Sequence, residues 1–251
     1  MRKPSLAAAA ILGVALMLSP VAEAAELRVI AGGSMTGPLS ALAAEFEKAT
    51  GHKLVIHFDS TPNLIKQATS GVPFDLGVVP VDVFKDAAAK ARFAGGPTTD
   101  IARVGYGVAV RAGAAKPDVS TPEALKKTLL DAQSIATIPA SAAGAYVTGV
   151  FERLGIAEAM KAKTKAQTAT TQIPAAVASG EAELGVFLVN VLIAPGVELA
   201  GSFPAELQQE LVFTAAVAAD TKEADAAKAF ISYLTTPAAT AVIKAKGMTP
   251  G

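Results

Sequence analysis

The chain of 251 residues contains no cysteine and no tryptophan, has two histidines, and is only 5% aromatic. Without cysteine there is no disulfide and no N-terminal thiol to carry a lipid anchor. So few rings do not suit sugar recognition, which relies on aromatic stacking platforms. Excess charge is missing too. Lys and Arg number 22 against 22 Asp and Glu, and without Arg2, Lys3 and Glu23 the balance is 20 to 21, a net charge near −1. No global basic field therefore draws nucleic acid or an anionic membrane. There is no P-loop, no dinucleotide fingerprint, no metal-ligand spacing and no repeat of solenoid period, so neither a cofactor nor a metal is expected.

Only one long apolar run is present, Leu6 to Leu18. It follows basic Arg2-Lys3 and precedes Ala22-Glu23-Ala24, an A-x-A cleavage pattern. This is the form of a secretory leader over residues 1–24, too short to be a spanning helix. No later run approaches the ~20 apolar residues that a membrane span requires. An exported protein, placed in a bacterial periplasm, is expected.

What remains is rich in Ala, Val and Gly, and strand-like and helix-like segments alternate almost end to end, the mark of an α/β fold with mostly parallel strands. Strands are expected at 54–58, 74–79, 104–111, 134–138, 165–169, 184–188 and 211–218. Helices are expected at 63–70, 83–93, 122–131, 146–154, 174–179, up to Leu234, and from Thr235-Thr236-Pro237 to near Gly247.

The first strand runs into Ala31-Gly32-Gly33-Ser34-Met35-Thr36-Gly37-Pro38, and an amphipathic helix follows (Leu39, Leu42, Phe46). Pro38 suits a first helical position because its missing N–H has no partner there anyway. A helix start points free N–H groups and partial positive charge at the loop before it. Glycines allow a ligand close to the backbone, and Ser34 adds a hydroxyl, so an anion is held without Lys or Arg. The same pattern recurs at Asp59–Thr61, Ser141–Gly144 and Thr170–Ile173. Open α/β sheets bind ligands at the carboxyl ends of their strands. Two such loops in each half suggest two lobes closing over a cleft by a hinge.

These segments, in their order and spacing, resemble the periplasmic molybdate-binding proteins, the type 2 solute-binding components of ATP-driven importers. The likeness rests on Ala31–Thr36, Phe58-Asp59-Ser60-Thr61 with Leu64, Gly71–Leu76, Ala143–Tyr146, Leu184–Phe187 and Phe230–Leu234 with Pro237. It spans essentially all of the chain after the leader. It implies a two-lobed binding protein, with residues 25–104 and 205–251 in lobe 1 and residues 105–204 in lobe 2. The strands at 104–111 and 211–218 would lie near the crossings. It implies an oxyanion held by the hydroxyls of Ser34 and of Thr61 or Ser60, with backbone N–H groups of Ala143 and Ile173 from the other lobe. The family's tyrosine after strand 184–188 is replaced by Leu188, which removes one donor. Asn190 and Gln172 are the nearest candidates to fill in. The implied partners are a small anionic ligand and the membrane subunits of an ABC importer, with the protein itself a monomer.

Two alternatives stand beside this reading. One is the same receptor class with a small carboxylate as ligand. The other is an exported serine hydrolase, suggested by Gly32–Gly37, but G-x-S-x-G requires glycine where Thr36 stands. His52 and His57 are the only candidate bases and are read as structural. Asp59 and Asp75 are read as a helix cap and a strand-end turn. Lys161, Lys163 and Lys165 are read as a solvated face.

Overall fold

The computed structural model describes residues 24–251. The leader expected over 1–24 lies outside them, apart from Ala24. The chain begins β1 (Glu26–Gly32), α1 (Thr36–Thr50), β2 (Lys53–Asp59), α2 (Thr61–Thr69) and β3 (Leu76–Pro80). Leu27, Val29 and Ala31 of β1 enter one core and Ile30 another, the period-two alternation of a strand covered on both faces. α1 follows one 3-10 turn at Gly33–Met35 and starts two residues before Pro38. It packs Phe46 against Phe230 and Tyr233, with ring centroids 4.9 and 5.4 Å apart. Burying one such ring stabilises the fold by about 1.5–3 kcal/mol.

The single helix expected at 83–93 is instead a 3-10 turn (Val81–Lys85) and a short α3 (Ala87–Lys90). The Asp86 carboxylate accepts the Ala89 N–H at 2.8 Å, capping a new helix start and ending the previous turn. The strand expected at 104–111 is β5 (Tyr106–Arg111), and before it, across Gly105 and in the other sheet, stands a strand that was not expected, β4 (Thr99–Val104). Asp100 and Arg103 interrupt the apolar pattern of β4, so hydropathy does not mark it.

The second half continues with α4 (Pro122–Asp131), β6 (Ile135–Thr137), α5 (Ala142–Arg153), α6 (Ala157–Lys163), β7 (Thr164–Ala166), α7 (Gln172–Ser179), β8 (Leu184–Leu188), α8 (Val189–Leu192) and β9 (Val197–Ser202). The chain then returns as β10 (Leu211–Val217), α9 (Ala224–Leu234), α10 (Pro237–Ala245) and β11 (Thr249–Pro250). Two sheets result, ordered β11-β4-β10-β3-β1-β2 and β7-β6-β8-β5-β9. Each is mixed. Strands that feed helices pair in parallel: β1 with β2 and β3, and β6 with β7 and β8. The crossing strands enter antiparallel, β10 on β3 and β4, β5 on β8 and β9. They arrive from the other lobe without the crossover helix that a parallel pairing needs.

Between the sheets the chain crosses at Gly105 and again over 203–210. Gln208 joins the two crossings: its Oε1 accepts the Tyr106 N–H at 2.8 Å and its Nε2 donates to the Tyr106 carbonyl at 2.9 Å. A Cβ on Gly105 would sit 3.1 Å from this amide. The second crossing is fastened to lobe 2 by the Tyr146 hydroxyl on the Leu207 carbonyl (2.8 Å) and by Arg153 on the Glu206 carbonyl (2.7 Å).

Gly144, in the first turn of α5, lies so close to the end of β6 that a Cβ there would fall 1.7 Å from the Ile138 carbonyl oxygen. Backbone cannot retreat as a side-chain tip can. Gly144→Ala should therefore destabilise the protein by about 3 kcal/mol or more. Urea unfolding measures this, and an unchanged midpoint would show that α5 is not held against β6 in this way.

Candidate functional site

Five strand ends converge on one cavity between the lobes. Lobe 1 supplies the turns after β1 and β2, with Gly32, Gly33, Ser34, Ser60 and Thr61. Lobe 2 supplies the turns after β6, β7 and β8, with Ser141, Ala143, Thr168, Thr170 and Leu188. The cavity encloses about 180 Å³, below the ~300–1,000 Å³ of pockets for drug-sized molecules, so it suits a small ligand. Three hydrogen bonds cross the cleft at its rim. Ala142 N–H donates to Thr61 Oγ1 (3.4 Å), the Thr170 hydroxyl to the Gly33 carbonyl (3.2 Å), and Asn190 Nδ2 to the Ser34 carbonyl (2.8 Å). The lobes are closed on each other.

Which hydroxyls can still serve a ligand follows from which are already engaged. The Thr36 hydroxyl donates to the Gly33 carbonyl, Thr168 to Gln172 Oε1, and Ser141 to the Ile138 carbonyl while it accepts the Gly144 N–H. Ser60 is the N-cap residue of α2, yet its side chain makes no capping bond. Ser34 takes part through its carbonyl alone. Thr61 Oγ1 only accepts, so its proton remains available. Ser34 and Thr61 are each 8% exposed and line the cavity. Ser34, Ser60 and Thr61 therefore bring three uncommitted donors to one wall. Opposite them, Ala142 and Gly144 donate their N–H groups within the chain, and the Ala143 N–H between them has no partner among the described residues. First-turn N–H groups lack intrahelical acceptors and carry the positive end of the helix dipole.

Ile173 is placed differently. It is fully buried in the first turn of α7, does not line the cavity, and its N–H goes to the Thr170 carbonyl at 3.3 Å. Gln172 turns to its own loop, where Oε1 accepts from Thr168 and from the Ala169 N–H. Asn190 reaches the Ser34 backbone and not the cavity. Leu188 lines the cavity, fully buried, beside Phe187 and Phe213, so this corner is apolar. Nothing in the sequence pattern marks Phe213, which comes in from β10 on the far side of the chain. A Cβ on Gly32 would meet its ring at 2.6 Å, so the glycine-rich turn lies directly on it.

Among the described residues no Lys or Arg lines the cavity, and Asp59 is the one ionisable side chain on its wall. Burial alone raises the Asp59 carboxyl, but hydrogen bonds from Asn63, the Ser60 N–H and His57 outweigh it and hold the group below the usual carboxylate range. Oδ1 accepts from Ser60 and Asn63 at 2.7 and 2.8 Å, and His57 lies 3.4 Å from Oδ2. Asp59 thus orders the start of α2. His52 accepts the Ala25 N–H on Nδ1 (3.0 Å), so neither histidine hydrogen-bonds a serine. Asp75, also away from the cavity, is 2% exposed and accepts the Arg28 N–H and the Thr221 hydroxyl, each at 2.7 Å.

Known proteins are similar to this chain over most of its length. The molybdate-binding protein ModA of Azotobacter vinelandii is 32% identical over 92% of this chain and 92% of its own length. An aconitate isomerase from a Pseudomonas species is 31% identical over 99% of this chain and 97% of that protein. The solved structure of the Azotobacter vinelandii periplasmic molybdate-binding protein superposes with a TM-score of 0.75 at 25% identity, covering 89% of this chain and 98% of that one. The model of one family, described as bacterial extracellular solute-binding protein, matches residues 27–249. That span takes in both sheets, both crossings and every loop around the cavity, and the chain is a member of the bacterial extracellular solute-binding protein family.

Proposed function

We propose that the protein is a periplasmic, non-catalytic receptor. It closes its lobes on a tetrahedral oxyanion of the molybdate or tungstate kind and presents it, as a monomer, to the membrane subunits of an ABC importer. One observation carries this reading: the uncommitted hydroxyls of Ser34, Ser60 and Thr61 face the free Ala143 N–H across a small cavity that no Lys or Arg lines. Each oxygen of a desolvated anion needs donors, and neutral donors with helix starts supply them without fixing a counter-charge. The molybdate-binding relative supports the same choice of ligand.

A second reading, a small carboxylate, is favoured by the Leu188–Phe187–Phe213 wall, against which an apolar portion would pack. The relative named for aconitate, an organic acid anion, points the same way. Catalysis on such a ligand has little support. A general base works best with a pKa near the operating pH, and Asp59, the one ionisable group on the wall, is held low. Incubation of the protein with aconitate should give no isomerisation, and conversion with turnover would overturn the non-catalytic assignment.

Removing a hydrogen bond to a charged ligand costs roughly 1.5–3 kcal/mol. Ser34→Ala should therefore weaken molybdate binding about tenfold or more in titration calorimetry, with the melting temperature of the free protein nearly unchanged. Equal affinity would take Ser34 out of the site. The two ligand classes separate in a melting screen with molybdate, tungstate, sulfate and small carboxylates, because a ligand at ~100 times its Kd adds about 2.7 kcal/mol of stability. Leu188→Tyr should raise oxyanion affinity by supplying a hydroxyl at the apolar corner. If wild type and Leu188→Tyr bind no oxyanion and a carboxylate stabilises both, the second reading replaces the first.

A further inference from the structure

The Ser34 carbonyl has an unusual position. Ser34 lies in the 3-10 turn before α1, and the first carbonyl taken by the helix's own ladder is that of its N-cap residue, Met35. The partner of the Ser34 carbonyl comes from the other lobe, where Asn190 in α8 donates Nδ2 at 2.8 Å. One residue earlier, the Gly33 carbonyl accepts the Thr170 hydroxyl, again from lobe 2. Asn190 does not line the cavity, so this bond is separate from the ligand's own contacts. Its orientation follows from chemistry, since turning the amide over would set oxygen against oxygen.

We propose that Asn190 is a positioning residue that latches the closed cleft. The latch rests on the two-lobed closure described above. It ties the closing motion to the backbone of the residue whose hydroxyl faces the ligand. When the lobes part, water takes the Ser34 carbonyl. When they close, Asn190 replaces that water and holds the turn that aims Ser34. The latch is also balanced. Asn190 Oδ1 is buried without a partner in the closed form, and opening hydrates it, so the closed state is not locked. A buried acceptor left unpaired is unfavourable, and this offsets part of what the Nδ2 bond contributes.

The substitution that isolates this role is Asn190→Asp, which keeps the shape and replaces the donor by an acceptor facing the carbonyl. Because the chain has no native cysteine, Lys66→Cys in α2 and Lys161→Cys in α6 place one spin label on each lobe without interference. Pulsed electron resonance on the ligand-free protein reads the lobe separation directly. Asn190→Asp should lower the closed-to-open ratio about tenfold, the loss of one hydrogen bond plus the repulsion that replaces it. An unchanged distance distribution overturns the latch. Molybdate should also leave Asn190→Asp about tenfold faster in stopped flow, with the association rate little changed. If wild type binds no molybdate while the distances still shift, the ligand assignment fails and the latch stands.

Discussion

An α-helix cannot satisfy the N–H groups of its own first turn, and the architecture turns on where those groups are left. Each lobe delivers strands whose carboxyl ends run straight into helix starts, and these starts meet in one cleft. Parallel pairing of β1 with β2 and β3, and of β6 with β7 and β8, brings the starts to the same edge of each sheet. The antiparallel crossing strands β5 and β10 then bring the two edges face to face. No cationic side chain lines the cavity because the backbone already supplies the positive potential. Among the hydroxyls around it, those that cap or tie loops are separated from those that remain open, and Ser141 and Ser60 mark the contrast. Both precede a helix, yet the first caps its own helix and the second does not.

Much of this was legible in the chain. The expected helix at 122–131 and strand at 184–188 have the bounds of α4 and β8, since each is a short apolar pattern with clear stops, Thr121-Pro122 before one and a polar run before the other. The four recurring loops were also visible, as a strand running into small hydroxyl residues. Bonds between distant segments were not. Ile173 and Ala143 occupy similar places in their loops, but the Ile173 N–H is already engaged by the turn at Thr170, and a sequence does not say which N–H groups a turn will use. β4 was hidden because Asp100 and Arg103 interrupt its apolar pattern. The antiparallel entry of β5 and β10 escaped notice because the alternation of strand and helix says nothing of a strand arriving from the other lobe.

The cavity is two-faced, and this shapes the specificity of any ligand it holds. Hydroxyls of lobe 1 face the Ala143 N–H of lobe 2, and one corner is apolar, Leu188 with two phenylalanine rings. A hydroxyl wall set on helix starts favours charge, whereas the apolar corner rejects a charged oxygen aimed at it. A ligand must therefore fit with its oxygens gathered toward lobe 1 and α5, or carry an apolar part to lay against Leu188. Leu188 makes one direction apolar and leaves the hydroxyls and the Ala143 N–H of the rest of the cavity in place.

Gln208 gives the molecule its mechanical character. Two strands joined side by side by backbone hydrogen bonds resist twisting at every rung. Where the chain passes between the lobes, the Tyr106 carbonyl still accepts the Phe203 N–H at 2.9 Å, and Tyr106 is tethered besides by a side-chain amide on three rotatable bonds. A side-chain amide turns with the strand it holds, so a change of angle between the two crossing segments is taken up by side-chain torsions while both donor–acceptor pairs survive. The connection is thus compliant in torsion and stiff against separation, a universal joint made from one residue. Tyr146 and Arg153 clamp the neighbouring residues 206–207 to lobe 2, so Gln208 reaches to the first crossing from a fixed segment.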